Sequence, residues 1–326
     1  MRTILSAAQS MTKSALTSVL LITICFSSSN LHAFYVTKHN DYTHLAYEKL
    51  KQCGAIGVDM GLSVDVDVEH IGNGAEWEDT TELISRSLNW HFYKSNNDIE
   101  DTWFTHRTFG PIYEKRVQQF LALLDSRVAV EDILVASGRV LHYMQDVAVP
   151  AHVVPVLHGP FPFPDDEFDS YELGGSGPSA KDPMLSFTEQ ECRDLFQTQL
   201  DLTQIISQAA QQTLKAIQAP IRAGGENPIN TTWSAYWQAD DSWFLSGFGS
   251  YGVVGNRFGE ELTLENCNSD DCTITKKDYD RFYRQQLKQA LYHTAHFILL
   301  VDRKLRTREL TADTGARTKL TPKTKK

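Results

Sequence analysis

Apolar residues recur at helical spacing through much of this chain. Ile133, Leu134, Ala136, Val140 and Leu141 fall three and four apart, and the spacing predicts a helix over Val130 to Gln145. The same periodicity predicts helices over Thr43 to Gln52, stopped by Gly54, and over Ile112 to Leu124. A longer one, Ser186 to Ile217, opens on the capping pattern Ser186-Phe187-Thr188-Glu189 and closes before Pro220. A fifth, Tyr279 to Leu305, carries Phe282, Leu287, Leu291, Phe297, Ile298 and Val301. Strand patterning is confined to Leu62 to Val68, an alternating stretch that reads as one isolated edge strand. Long helices with apolar stripes must bury them against each other, so the expected fold is an all-α, multi-helix single domain with long irregular loops. Two such loops, Pro155 to Pro183 and Gly224 to Thr275, are rich in Gly, Pro, Asp and aromatic residues. The first follows a cluster of histidines and is expected to wall a site.

The start of the chain changes this picture. Arg2 and Lys13 precede the apolar run Ala15 to Phe26, and Leu31-His32-Ala33 ends a small polar stretch. That pattern predicts an export signal over residues 1–33, cut after Ala33, because the run is too short to span a bilayer. Residues 34–305 then form the helical domain, secreted or periplasmic, and 306–326 a basic, disordered tail. Removing the signal takes Cys25 and leaves Cys53, Cys192, Cys267 and Cys272, an even set suited to disulfides in an oxidising compartment. Three connectivities are open, among them Cys53 with Cys192 and Cys267 with Cys272. The formal charge of -10 argues against general nucleic-acid backbone binding, which needs basic surface. Arg303 to Lys326 is the exception, with nine Lys/Arg against Glu309 and Asp313. It reads as a solvated tail, with weak contact to an anionic membrane as the sharper alternative.

The candidate chemistry lies at the end of the Val130 helix. A four-residue spacing sets His142 and Asp146 side by side on one face, where they can chelate one ion. Pro150 ends the helix, and the chain can turn back to present His152. Two imidazoles and a carboxylate within this short span are the donor mix that zinc accepts.

The stretch Leu141-His142-Tyr143-Met144-Gln145-Asp146 with Pro150-Ala151-His152 resembles the H-Y-x-x-D-x-x-x-P-x-H core of the zinc-dependent bacterial phospholipases C, including the alpha-toxin-like enzymes. More distantly it is similar to the single-strand nucleases that share their fold. The resemblance extends by motif from Phe34 to Tyr171 and implies further ligands. In the family the amino group and carbonyl of an aromatic first residue bind zinc with a histidine on the first helix, which here implies Phe34 and His44. Phe34 stands where the family commonly has Trp, a mild departure because backbone atoms ligate. Ala75-Glu76-Trp77-Glu78 and Trp90-His91-Phe92-Tyr93 match a carboxylate followed by an aromatic and then a histidine, which implies Glu76 and His91. Glu replaces the family's Asp there, and Glu78 or Asp79 are the alternatives. The last pair departs most: His158 with Asp169 is the favoured reading, and Asp165 with Asp169 competes. The lipid-binding β-domain of alpha-toxin-like members has no counterpart.

By this resemblance the ligand set Phe34, His44, Glu76, His91, His142, Asp146, His152, His158 and Asp169 would hold up to three zinc ions, with Asp146 bridging two. The implied reaction is phospholipase C cleavage of phosphatidylcholine or a related phospholipid at a membrane surface. Glu76 would act as general base, and Trp77 would stack on a quaternary ammonium or pack in the core. The first alternative is a zinc-dependent single-strand nuclease, which the spacing from Phe34 to His44 disfavours. The second is a non-catalytic secreted zinc-binding protein.

Overall fold

A computed structural model describes residues 36–55, 66–80, 91–93, 108–158, 164–173, 178–223, 227–239, 248–264 and 272–318. The described residues are mostly helical. Helices α1 (Val36–Ala55), α2 (Val68–Thr80), α3 (Gly110–Leu124) and α4 (Val130–Asp146) lead to the short α5 (Pro150–Val153). They are followed by α6 (Glu189–Gln197), α7 (Leu202–Ile217) and the long α8 (Lys276–Thr318). Between α7 and α8 lie three antiparallel strand pairs: β1 (Pro220–Ala223) with β2 (Asn227–Thr232), β3 (Trp237–Gln238) with β4 (Ser250–Tyr251), and β5 (Leu262–Thr263) with β6 (Thr273–Ile274). The export signal, Phe34, the Ala33 cut, Cys25, Cys267, Trp90, Trp243 and Phe244 lie outside the described residues.

The helices form for the reasons their patterns imply, with three differences. The Thr43 stripe extends back to Val36, so Tyr42, Ala46, Leu50 and Cys53 share the buried face with the polar His39 and Thr43. Leu62 to Asp65 of the expected edge strand lie outside the described residues, and Val68 begins a helix. Asp67 accepts the backbone N–H of Glu69 at 3.1 Å and so caps α2. Third, the Ser186 helix is two helices. Thr188 and Glu191 form the first capping box, and Asp201 with Gln204 forms a second that restarts the chain after Thr198 to Asp201. A second capping box in mid-run outcompetes helix continuation, because it satisfies donors that a start would otherwise leave open.

Helix α8 lays Tyr279, Phe282, Tyr283, Leu287, Leu291, Ile298 and Val301 against the other helices as one buried stripe. It packs on α1, α4 and α7. It also continues past residue 306, where the tail was expected, through Thr318. Arg308 donates to the carbonyls of Ser126 and Val128, and Arg306 pairs with Asp302, so part of the basic segment is engaged on the helical body. The disulfide Cys53–Cys192 ties α1 to α6, and Cys272 is also disulfide-bonded. Trp233 and Trp237 are core residues, stacked on or near Phe282. No described helix is long and apolar enough to cross a membrane.

Candidate metal centre

Helices α2 and α4 make the most extensive contact in the fold, and two glycines allow it. A Cβ on Gly74 would stand 2.1 Å from the Val135 carbonyl oxygen, and one on Gly138 would stand 2.0 Å from that of Ile71. Neither position tolerates a side chain at this separation. The close crossing lets the Ala75 carbonyl of α2 meet the ring of His142 on α4, with Nδ1 at 3.1 Å. One turn further on, Asp79 faces the same ring, 3.6 Å from Nε2. Asp146 ends α4, and Pro150 turns the chain into α5, which returns His152 to within 4.0 Å of Asp146.

Three groups of imidazoles and carboxylates converge here: His39, Asp79 and His142; His91, His142 and Asp146; and His152, His158 and Asp169. In each, the candidate ligand atoms lie within 4.8 Å of one another. Around Asp146 Oδ2 stand His142 Nε2 at 3.2 Å and His91 Nδ1 at 3.3 Å, with 3.2 Å between the two nitrogens. His39 Nε2 is 3.4 Å from Asp79 Oδ2 and 3.5 Å from Asp146 Oδ1. In the third group His158 Nε2 is 3.5 Å from Asp169 Oδ2 and 3.2 Å from His152 Nε2, while His152 Nε2 lies 3.9 Å from that carboxylate. Tetrahedral ligands on zinc bonds of about 2.0–2.1 Å are separated by about 3.3–3.4 Å. Most of the observed separations bracket that value.

The direction of the ring nitrogens fits a cation as well. His142 Nδ1 donates to the Ala75 carbonyl, His152 Nδ1 to that of His91 at 2.6 Å, and His158 Nδ1 to that of Val156 at 2.7 Å. His39 Nδ1 meets Gln145 Oε1 at 2.8 Å, and the threonines fix which way that amide points. Thr43 donates its hydroxyl hydrogen to the His39 carbonyl, so it accepts from Gln145 Nε2, as Thr294 does from the other side. The amide oxygen therefore faces His39, and Nδ1 carries the hydrogen. In all four rings Nε2 is left to point inward, the arrangement that second-sphere acceptors impose on metal-ligating histidines. Neither oxygen of Asp146 or Asp169 accepts a hydrogen bond, although all four atoms are buried. Buried carboxylate oxygens without donors are costly unless a cation satisfies them. His142 has one inward nitrogen and would serve one ion, while Asp79 and Asp146 each turn one oxygen towards His39 and the other towards His142.

The residues expected from sequence divide clearly. His91, His142, Asp146, His152, His158 and Asp169 come together in these groups. His44 and Glu76 belong to none of them. His44 lies on the outer side of α1, 3.0 Å from the exposed Glu69, and His39, more than one turn earlier, takes the inward place. Glu76 is not among the buried residues of α2, whereas Asp79, an alternative to it, is buried and in the centre. Glu78 is engaged elsewhere. It accepts from Arg116 Nε at 2.9 Å, Arg139 Nε at 2.5 Å and the Tyr143 hydroxyl at 2.8 Å. Trp77 is 51% exposed, which removes the core-packing alternative. Asp165 is in no group, and Phe34 lies outside the described residues. His39 had a signal that the shorter helix reading missed: once α1 starts at Val36, 39, 42, 43 and 46 share one face, and 44 falls off it.

Without a cation, the carboxylates load the rings with protons. Burial pushes the His152 imidazole down, but contact with Asp169 and the charge of Asp146 outweigh it and raise its pKa to about 9. Burial likewise lowers His142, and Asp146 with Asp79 brings it above its usual value. Burial alone would raise the Asp146 carboxyl; His142, His91 and His152 hold it well below the ordinary carboxylate range. Glu78 stays below its usual value because Arg139 and Arg116 overcome its burial. A cation entering the centre must displace protons from imidazole, so its affinity rises with pH.

No family model, curated protein or solved structure matches this chain. The centre therefore stands on its own geometry: a buried set of histidines and aspartates that can hold divalent metal ions.

Proposed function

We propose that the protein is a zinc-dependent phosphodiester hydrolase of the phospholipase C type, splitting phosphatidylcholine or a related phospholipid into diacylglycerol and a phosphorylated headgroup. The supporting observation is the convergence of three His/Asp groups, two of which share His142, around the buried Asp146 and Asp169 carboxylates whose oxygens accept no hydrogen bond. Imidazole nitrogen with carboxylate oxygen at tetrahedral separations favours zinc over the harder magnesium or calcium. When bound, zinc supplies polarisation of phosphoryl oxygens and acidification of water near neutral pH.

The chain's own residues do the rest. Ala75, His91, Val156 and Gln145 hold the tautomers of His142, His152, His158 and His39 through their oxygens, so these four rings need not reorient on binding. The α2–α4 crossing and the buried faces of α1 and α4 keep bulk water from the ligand side chains. Asp79, the early carboxylate inside the centre, takes the general-base part expected of Glu76 and holds the proton of the attacking water. Asp79→Asn should lower phosphocholine release by about 100-fold or more. EDTA treatment should abolish it and added zinc restore it; activity that survives chelation overturns the proposal.

A single-strand nuclease remains the second reading, for a specific reason. The spacing that set it aside was that from Phe34 to His44, and His44 lies on the surface with His39 in the centre instead. That argument no longer separates the substrates. Parallel assays on phosphatidylcholine vesicles and on single-stranded DNA decide between them.

A further inference from the structure

Asp166 is buried, carries a charge-bearing side chain and belongs to none of the three ligand groups. Its carboxylate nevertheless accepts four hydrogen bonds. Oδ1 accepts the backbone N–H of Phe168 at 2.9 Å and of Asp169 at 3.3 Å. Oδ2 accepts the indole N–H of Trp237 at 3.2 Å and the hydroxyl of Tyr251 at 3.0 Å. Trp237 and Tyr251 are paired residues across the β3/β4 hairpin. That hairpin is pinned to the chain just after α5, where the Gly249 N–H donates to the Pro155 carbonyl at 2.9 Å.

Asp169, three residues on, turns Oδ2 towards His152 and His158, and neither of its buried oxygens accepts a hydrogen bond. A carboxylate that must stay bare in a buried place cannot be held by its own oxygens, so its backbone has to be held for it. Asp166 does this from one side by bonding the amide of Asp169 itself. Lys38 does it from the other, donating to the Asp169 carbonyl at 3.1 Å and the Tyr171 carbonyl at 3.3 Å.

We propose that Asp166 is a positioning residue for the His152/His158/Asp169 metal group, and that the β3/β4 hairpin serves to anchor it through Trp237 and Tyr251. This rests on the reading of the centre as a metal site. The anchored carboxylate sets the turn that aims Asp169, and its negative charge beside Asp169 favours a cation there. It touches neither ion nor substrate.

The test is metal stoichiometry and affinity, measured on the full mature protein by elemental analysis and chelator competition with zinc. Asp166→Asn keeps one oxygen for the backbone amides but turns an NH2 group towards the indole and phenol donors. It should raise the dissociation constant of one equivalent by about 10- to 100-fold, with the remaining equivalents unchanged. Excess zinc should refill the weakened equivalent. Tyr251→Phe and Trp237→Phe each remove one donor while leaving Asp166 in place, and should weaken that same equivalent less. These two also decide the matter if Asp166→Asn fails to fold. Asp169→Asn should remove that equivalent outright and so identifies it. Unchanged affinity in all three supporting variants, or a parallel weakening of every equivalent, overturns the positioning role. Wild-type protein that binds no zinc instead overturns the metal reading beneath it.

Discussion

His39 and His44 differ by a rotation about one helix axis. His39 points inward with Nδ1 bonded to Gln145, and His44 meets Glu69 at the surface. His39→Ala should therefore lower the bound zinc by up to one equivalent, while His44→Ala leaves stoichiometry and phosphocholine release within twofold of wild type, as elemental analysis and assay would report. The protonated rings give a second expectation at this scale. His152 is raised to about 9 in the metal-free protein, so its contribution to stability is complete below its unfolded value near 6.5 and is lost as pH climbs through about 9. His293 and His296 on α8 act the other way. Burial lowers them to about 3 and about 4, and the unfolded chain binds protons there first, so stability falls as pH drops below about 6.5. Chelator-treated protein should thus melt highest near pH 6.5 and lower on both sides, and zinc should abolish the alkaline decline. A melting temperature of the treated protein that keeps rising towards pH 9 contradicts this.

At the scale of elements, local pattern revealed part of the centre and concealed the rest. His142, Asp146 and His152 were readable because one helix end and one proline set their geometry within a few residues. His39 and Asp79 were not, since their roles depend on where α1 begins and on which face α2 turns to α4. Sequence spacing cannot choose among Glu76, Glu78 and Asp79; the α2–α4 crossing does, by burying Asp79 at the rings and committing Glu78 to Arg116 and Arg139. The helices with clear apolar stripes were legible, but α2, over Val68–Thr80, was not expected at all. The split before α7 was not, because Asp201 and Gln204 form a start signal inside an otherwise continuous apolar period. The crossing rests on Gly74 and Gly138, which leads to a direct trial. Gly138→Ala should force α2 and α4 apart, costing about 1–3 kcal/mol by overpacking and loosening zinc, because it moves Asp79 and Ala75 away from His142. Calorimetry with zinc titration reads both effects, and an alanine accepted without loss of either would show the contact to be dispensable.

For the whole molecule, architecture and charge act together. The disulfide fastens α1, which carries His39, to α6, and α8 braces α1, α4 and α7 along one long face. The basic end of α8 reaches Ser126 and Val128 near the start of α4, about 25 Å along that helix from Asp146. Arg308 is therefore more than a Debye length from the His/Asp groups. In and beside the centre the carboxylates are Asp79, Asp146, Asp166 and Asp169, and the nearby Glu78 is already offset by two arginines. Three dications held there would outweigh them, leaving an electropositive centre inside a polyanion of formal charge -10. On the proposed function, an anionic substrate drifting in from solution would meet repulsion first and attraction only at close range. Moderate added salt should therefore quicken turnover of a soluble phosphodiester at limiting concentration, since the long-range repulsion is screened more than the short-range pull.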